Sequence, residues 1–260
     1  MGKQAIGVFD SGVGGTSIWK EINALLPNEN TIYLADSKNA PYGDKGQDKI
    51  IELSIKNTEL LLEKDCKLIV IACNTATTNA IHILRERFNV PFIGIEPAIK
   101  PAALNTKTKA IGILATRGTL SSALFHKTTD LYTNGIKIIE RVGEGLVPLI
   151  ESGKIDSEEI KELLKLYTNP MVEANIDYLV LGCTHYPYLI PQLLELLPKR
   201  VKIIDSGEAV AKQTKTILEQ LNLVNTNTVK PKYQFYINMK NNKVMASLLG
   251  EPFKVEYLDF

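Results

Sequence analysis

The chain is poor in the side chains that carry most enzyme chemistry, with three cysteines, three histidines and one tryptophan in 260 residues. So few cysteines, and an odd number of them, argue against a disulfide framework and for a reducing compartment. Charge of one sign is also missing: Lys+Arg number 30 against Asp+Glu 29. No basic field recruits nucleic acid and no charged tail steers a partner. Long hydrophobic runs are absent too, none approaching the roughly 20 residues that cross a bilayer. The few apolar residues before Asp10 are too short a run for a secretory signal. A cytoplasmic protein is expected, with no nucleic-acid or membrane partner. Its length suits one large or two smaller domains.

Short runs rich in Val, Ile and Leu alternate with longer amphipathic stretches. The runs at 5–9, 31–34, 68–72, 92–95, 109–114, 136–141, 178–181 and 201–204 are nearly continuous in apolar residues, as in strands covered on both faces. Helical spacing fills 17–26, 45–64, 75–88, 121–132, 157–169, 188–196 and 207–221. This alternation predicts an α/β fold with mainly parallel sheets flanked by helices. The stretch after Lys230 alternates more strictly and predicts an antiparallel ribbon.

The chain also echoes itself. "IGVFDSGVGGT" at 6–16 returns as "IGILATRGT" at 111–119, and "LIVIACNT" at 68–75 as "YLVLGCTH" at 178–185. The order and near-equal offsets imply two pseudo-symmetric lobes. Ligands of open α/β sheets bind beyond the carboxyl ends of the strands. Asp10, Ser11, Cys73, Asn74, Thr75, Thr116, Cys183, Thr184 and His185 all stand at such ends. Facing lobes would bring them to one cleft.

Each motif has more than one reading. "DSGVGG" (10–15) between strand and helix suggests a dinucleotide loop, with Asp36 as the ribose acid. However, Ser17 stands where the third glycine belongs, and Asp10 would place a carboxylate beside a pyrophosphate. A turn that presents Asp10 and Ser11 to a small polar ligand fits better. Cys73, Cys183 and His185 could form a zinc corner, but the usual ligand spacing is missing. A cysteine nucleophile with His185 as base needs one cysteine, and two stand here in matched settings. Cys66 lacks that setting and reads as structural. Two equivalent thiols suit the inversion of a carbon stereocentre, which needs a base on one face and an acid on the other.

At these residues the chain resembles the glutamate racemases of the cofactor-independent aspartate/glutamate racemase superfamily. The resemblance is carried by "GVFDSGVGG", "PYG" (41–43), "ACNTAT" (72–77), "ATRGT" (115–119), "VPLIE" (147–151) and "GCTHYP" (182–187). It implies an active site between two lobes, 1–96 plus 208–260 and 97–207. It implies Cys73 and Cys183 as the acid/base pair, Cys73 acting on D-glutamate and Cys183 on L-glutamate, with Asp10, Glu151 and His185 tuning them. Ser11, Pro41, Tyr42, Gly43, Asn74, Thr75, Thr116, Thr119, Thr184 and His185 would line the substrate, with Asp10 near its ammonium. The substrate would be L- or D-glutamate and the product D-glutamate would serve peptidoglycan. No pyridoxal phosphate or metal is implied. The oligomeric state is left open, a homodimer among the alternatives, and no activator site on an N-terminal extension is expected. "RVGEG" (141–145) replaces a Cys-Pro-containing segment common in the family, and Asn39 an arginine. An aspartate racemase, another cysteine-dependent isomerase or decarboxylase, a dicarboxylate-binding protein and a regulator without activity remain as rivals.

Overall fold

The computed structural model describes residues 3–227 and 229–260. Its first stretch runs β1 (Ala5–Asp10), α1 (Thr16–Leu25), β2 (Thr31–Ala35), α2 (Gln47–Glu63), β3 (Cys66–Ile71), α3 (Asn74–Arg87) and β4 (Phe92–Gly94). After α4 (Ile99–Asn105) come β5 (Ala110–Ala115), α5 (Arg117–Leu120), α6 (Ala123–Tyr132), β6 (Lys137–Val142), α7 (Leu146–Glu151), α8 (Glu158–Glu173), β7 (Tyr178–Gly182), α9 (Ile190–Leu196) and β8 (Lys202–Ile204). The chain closes with α10 (Gly207–Gln220), β9 (Tyr233–Ile237), α11 (Lys243–Leu249) and β10 (Val255–Tyr257).

Two sheets result, one ordered β10-β9-β2-β1-β3-β4 and the other β6-β5-β7-β8. All their pairings are parallel. The inner order β2-β1-β3-β4 is repeated strand for strand by β6-β5-β7-β8. The echo read in the sequence is therefore also an echo of topology. Strands β1, β3, β5 and β7 are almost wholly buried, which is why their sequences are apolar runs rather than alternations.

The expected antiparallel ribbon after Lys230 is not formed. β9 adds parallel to β2, and β10 parallel to β9. The reason is α11, a short helix between the two strands that returns the chain to the same end of the sheet, as parallel pairing requires. An aromatic cluster fixes this addition, with Trp19 of α1 edge-on to Phe235 at 4.7 Å and to Phe253 at 5.0 Å. A buried ion pair, Lys67 to Glu29 at 2.5 Å, holds the segment before β9, because Lys67 also donates to the Leu223 carbonyl. The chain crosses between sheets twice, after β4 and after β8. The two crossings touch where the Ser206 hydroxyl donates to the Glu96 carbonyl. Among the described residues, no helix is long and apolar enough to cross a membrane.

Candidate active site

The carboxyl ends of β1, β3, β5 and β7 meet at the junction of the two sheets. Cys73 is the N-cap of α3, and its Sγ accepts from the Ala76 N–H at 3.4 Å and lies 3.6 Å from Ser11 Oγ. On the other side Cys183 Sγ stands 3.7 Å from His185 Nδ1. Both sulfurs line one small cavity, with Ser11, Asn74, Thr75, Thr116, Thr184 and Val147 among its walls. It is narrow, with room for about one water. A wider cleft adjoins it, sharing Pro41, Gly43, Thr116 and Val147 and edged by Asp44, Arg117 and Glu144. Arg117 and Glu144 form an ion pair at that mouth.

The glycine loop makes the junction possible. A Cβ on Gly12 would lie 1.9 Å from Glu151 Oε1, and one on Gly14 would lie 2.3 Å from His185 Nδ1. Residues of the second sheet's loops thus press against bare backbone of the first. Glu151 Oε1 accepts from the Val13 N–H at 2.7 Å and faces His185 Nε2 at 2.6 Å. Its Oε2 accepts from Ser37 Oγ at 2.9 Å. The Gly14 nitrogen is 3.2 Å from the same Nε2. A protonated Nε2 has no free lone pair, so that approach is contact and the proton belongs to the Glu151 bond. The loop's glycines serve packing across the junction, and no dinucleotide reading is needed for them. Asp36, the would-be ribose acid, is buried and bonded to Tyr42 and Asn39.

Electrostatics differ between the two sulfurs. Burial pushes the Cys73 thiol well up, and the Asp10 carboxylate adds to it, so this sulfur keeps its proton. Asp10 is fully buried; its carboxyl is pushed up to about 6 by burial, against the opposing pull of His185 and of the Gly15 N–H bond at 2.7 Å. Burial would lower the His185 imidazole, but hydrogen bonds to Cys183 and Glu151 and their charge raise it well above its ordinary value. An imidazolium therefore stands beside Cys183, with Nδ1 3.7 Å from its Sγ. Thr184 Oγ1 reaches Asp10 at 3.3 and 3.4 Å, joining the two sides.

Three threonines close the far wall. Thr75 Oγ1 lies 2.8 Å from Thr116 Oγ1 and 3.4 Å from Thr119 Oγ1, and the latter two are 3.0 Å apart. Gly43 is pressed against Thr116, 2.9 Å from Thr116 Cβ to a Cβ placed there. Asn74 is buried with both amide atoms unpartnered. A buried amide without a partner costs stability unless a ligand satisfies it. The Tyr42 ring lines the cavity, but its hydroxyl is already engaged, donating to Asp36 Oδ2 at 2.5 Å and accepting from Asn57 Nδ2 at 3.0 Å. Among the described residues, no group of three or more His, Cys, Asp or Glu side chains could hold a metal ion.

The structure thus gathers the residues named as the expected site at or beside one cavity, including Glu151, for all that "RVGEG" departs from the family pattern. Gly145 there takes φ +79 at the start of α7, and the helix delivers Glu151 from its other end. Ser37, Gly12, Gly14 and Val147 were not foreseen. Ser37 gives no signal in a single sequence, and the two glycines were read as a turn only.

A family profile described as Asp/Glu/Hydantoin racemase matches residues 6–214. A glutamate racemase of Herpetosiphon aurantiacus is 43% identical over 228 residues, 88% of this chain and 90% of that one. The crystal structure of glutamate racemase isoform RacE1 from Bacillus anthracis aligns with a TM-score of 0.88 at 31% identity, covering 100% of this chain and 98% of that one. Glutamate racemase from Francisella tularensis in complex with D-glutamate aligns at 0.86 and 30% identity, covering 100% and 98%. Match, identity and coverage all extend over most of the chain, which belongs to the Asp/Glu/hydantoin racemase family.

Proposed function

We propose that the protein interconverts L- and D-glutamate with two cysteines as acid and base. The observation that carries the reading is the pair of sulfurs, one from each sheet, on a single narrow cavity. Removal of the α-proton from L-glutamate by a Cys183 thiolate forms an S–H bond and leaves the C–H electron pair in a planar carbanion delocalised into the α-carboxylate. The Cys73 thiol then protonates the opposite face and becomes a thiolate. The reverse reaction starts from Cys73 acting on D-glutamate. Each turnover leaves the two sulfurs with exchanged protonation.

The electrostatics support these roles. His185, held by Glu151, offsets negative charge on Cys183, while Cys73 is kept as the thiol that the L-to-D direction needs. In this reading Asp10, which bonds Thr184 on the cavity wall, pairs with the ammonium, and that pairing would offset its burial. Asn74, Ser11 and the threonine hydroxyls offer donors for the two carboxylates. The reading takes 1–96 with 208–260 as one lobe and 97–207 as the other, and it assigns the D-glutamate formed to peptidoglycan.

The test is incubation of the protein with either enantiomer in deuterated water. Polarimetry should show racemisation, and mass spectrometry one deuterium at the α-carbon. No rotation change and no exchange would remove the enzyme reading in favour of a dicarboxylate-binding protein. Cys73→Ser and Cys183→Ser should each abolish racemisation; full activity in either ends the two-base scheme. Aspartate turning over faster than glutamate would move the substrate assignment.

A further inference from the structure

Asp36 has no place in the chemistry above, yet it is a buried carboxylate with three donors on it. Tyr42 OH donates to Oδ2 at 2.5 Å, Asn39 Nδ2 donates to Oδ1 at 2.8 Å, and Asn238 Nδ2 donates to Oδ1 as well. Asn238, just past β9, also accepts from the Lys38 N–H at 2.9 Å and donates to the Phe260 carbonyl at 3.1 Å. Asn57 of α2 completes the set by donating to Tyr42 OH. One carboxylate thus ties the loop 37–44 to α2 and to the segment after β9.

That loop has two working ends. Ser37 at its start donates to Glu151, which is bonded to His185, the residue facing Cys183. Tyr42 and Gly43 at its end form cavity wall, and Gly43 packs on Thr116 from the second sheet. The loop follows β2, and Glu151 lies at the end of the topologically equivalent stretch that follows β6. The two equivalent loops therefore meet at the Ser37–Glu151 bond, and Asp36 is the anchor on one side.

We infer that Asp36 is a positioning residue for racemisation, holding loop 37–44 so that Ser37 meets Glu151 and Gly43 closes on Thr116. The inference rests on the proposed glutamate racemisation. A neutral side chain at 36 keeps the size but turns one end from acceptor to donor, against Asn238 or Tyr42. Loss of the Tyr42 hydroxyl removes the largest lever between Asp36 and the cavity wall without altering the ring that lines it.

The test uses Asp36→Asn, Tyr42→Phe and the double variant in the full chain, with kcat and KM measured in both directions. Each single variant is expected to lower kcat/KM at least tenfold in both directions while the thermal midpoint stays above the assay temperature. The double variant should lose no more than the worse single one, because both break one linkage. A merely structural role would leave kcat/KM at wild-type level in the folded fraction, and a Tyr42 hydroxyl acting on substrate would make the two losses multiply. Either result overturns the inference. If Asp36→Asn does not fold, Tyr42→Phe at wild-type kcat/KM is enough to overturn it. Failure of the wild type to racemise glutamate strikes the proposed function instead, so the two failures are distinct.

Discussion

At the scale of the residue, Asp10 is a buried carboxylate that costs the fold stability. Its carboxyl is pushed up to about 6 in the folded protein, from the 3.8 of a free aspartate, because burial disfavours its charge. The folded state holds that proton more tightly than the unfolded chain, so stability falls as pH rises from about 4 to about 6. Above that window the penalty is about 3 kcal/mol, at 1.36 kcal/mol per unit. Asp10→Asn should therefore be more stable than the wild type at pH 7 by up to about that amount. The gap between the two proteins should open across the same window, read by urea unfolding at several pH values. Racemisation should be lost, since the neutral amide cannot pair with an ammonium. His185 has the opposite sign. Its raised basicity contributes stability that is whole below about 6.5 and disappears as pH climbs through the folded value. His185→Gln should flatten that alkaline decline in the same urea series. That both cysteines and Asp10 stand at strand ends could be read from the sequence, because each closes an apolar run. Ser37 could not, because its importance comes from Glu151, more than a hundred positions away.

At the scale of the element, the loop joining β1 to α1 is the most demanding. Gly12→Ala and Gly14→Ala put a methyl into Glu151 or His185 respectively, side chains held by hydrogen bonds at 2.6 to 2.7 Å. Each should lower kcat/KM at least a hundredfold while circular dichroism keeps the wild-type spectrum. Gly46→Ala is the control, since nothing lies within 4 Å of a Cβ there and φ is −65 before α2, so activity should be unchanged. The periodicity of apolar residues revealed the parallel strands and the long helices. It did not reveal α4, α5, α7 or α11, which run from four to seven residues. It gave β10 the wrong direction, since alternation suggested an antiparallel ribbon but α11 enforces parallel addition. α8 runs to Glu173 through Pro170, past the 169 read from the sequence, because the C-terminal turns continue despite the missing N–H.

At the scale of the whole molecule, the narrow cavity sets how the protein meets reagents and substrate. Cys73 is 4% exposed and Cys183 7%, so both are shielded. Iodoacetamide should label them slowly and only through opening, and saturating glutamate should block both. Labelling of Cys66, buried between β3 and α2, should not respond to glutamate, as peptide mass spectrometry would show. Glutamate at a hundred times its Kd should also add about 2.7 kcal/mol to the stability of the closed form. Opening itself is constrained by the route of the chain. The polypeptide passes from the first sheet to the second and back, and the passages are bonded through Ser206 and Glu96. Two bodies joined at two neighbouring points turn about the line through them far more readily than they slide or twist. Both passages therefore lie at one place in the fold, and any change in the angle between the two sheets must bend them together.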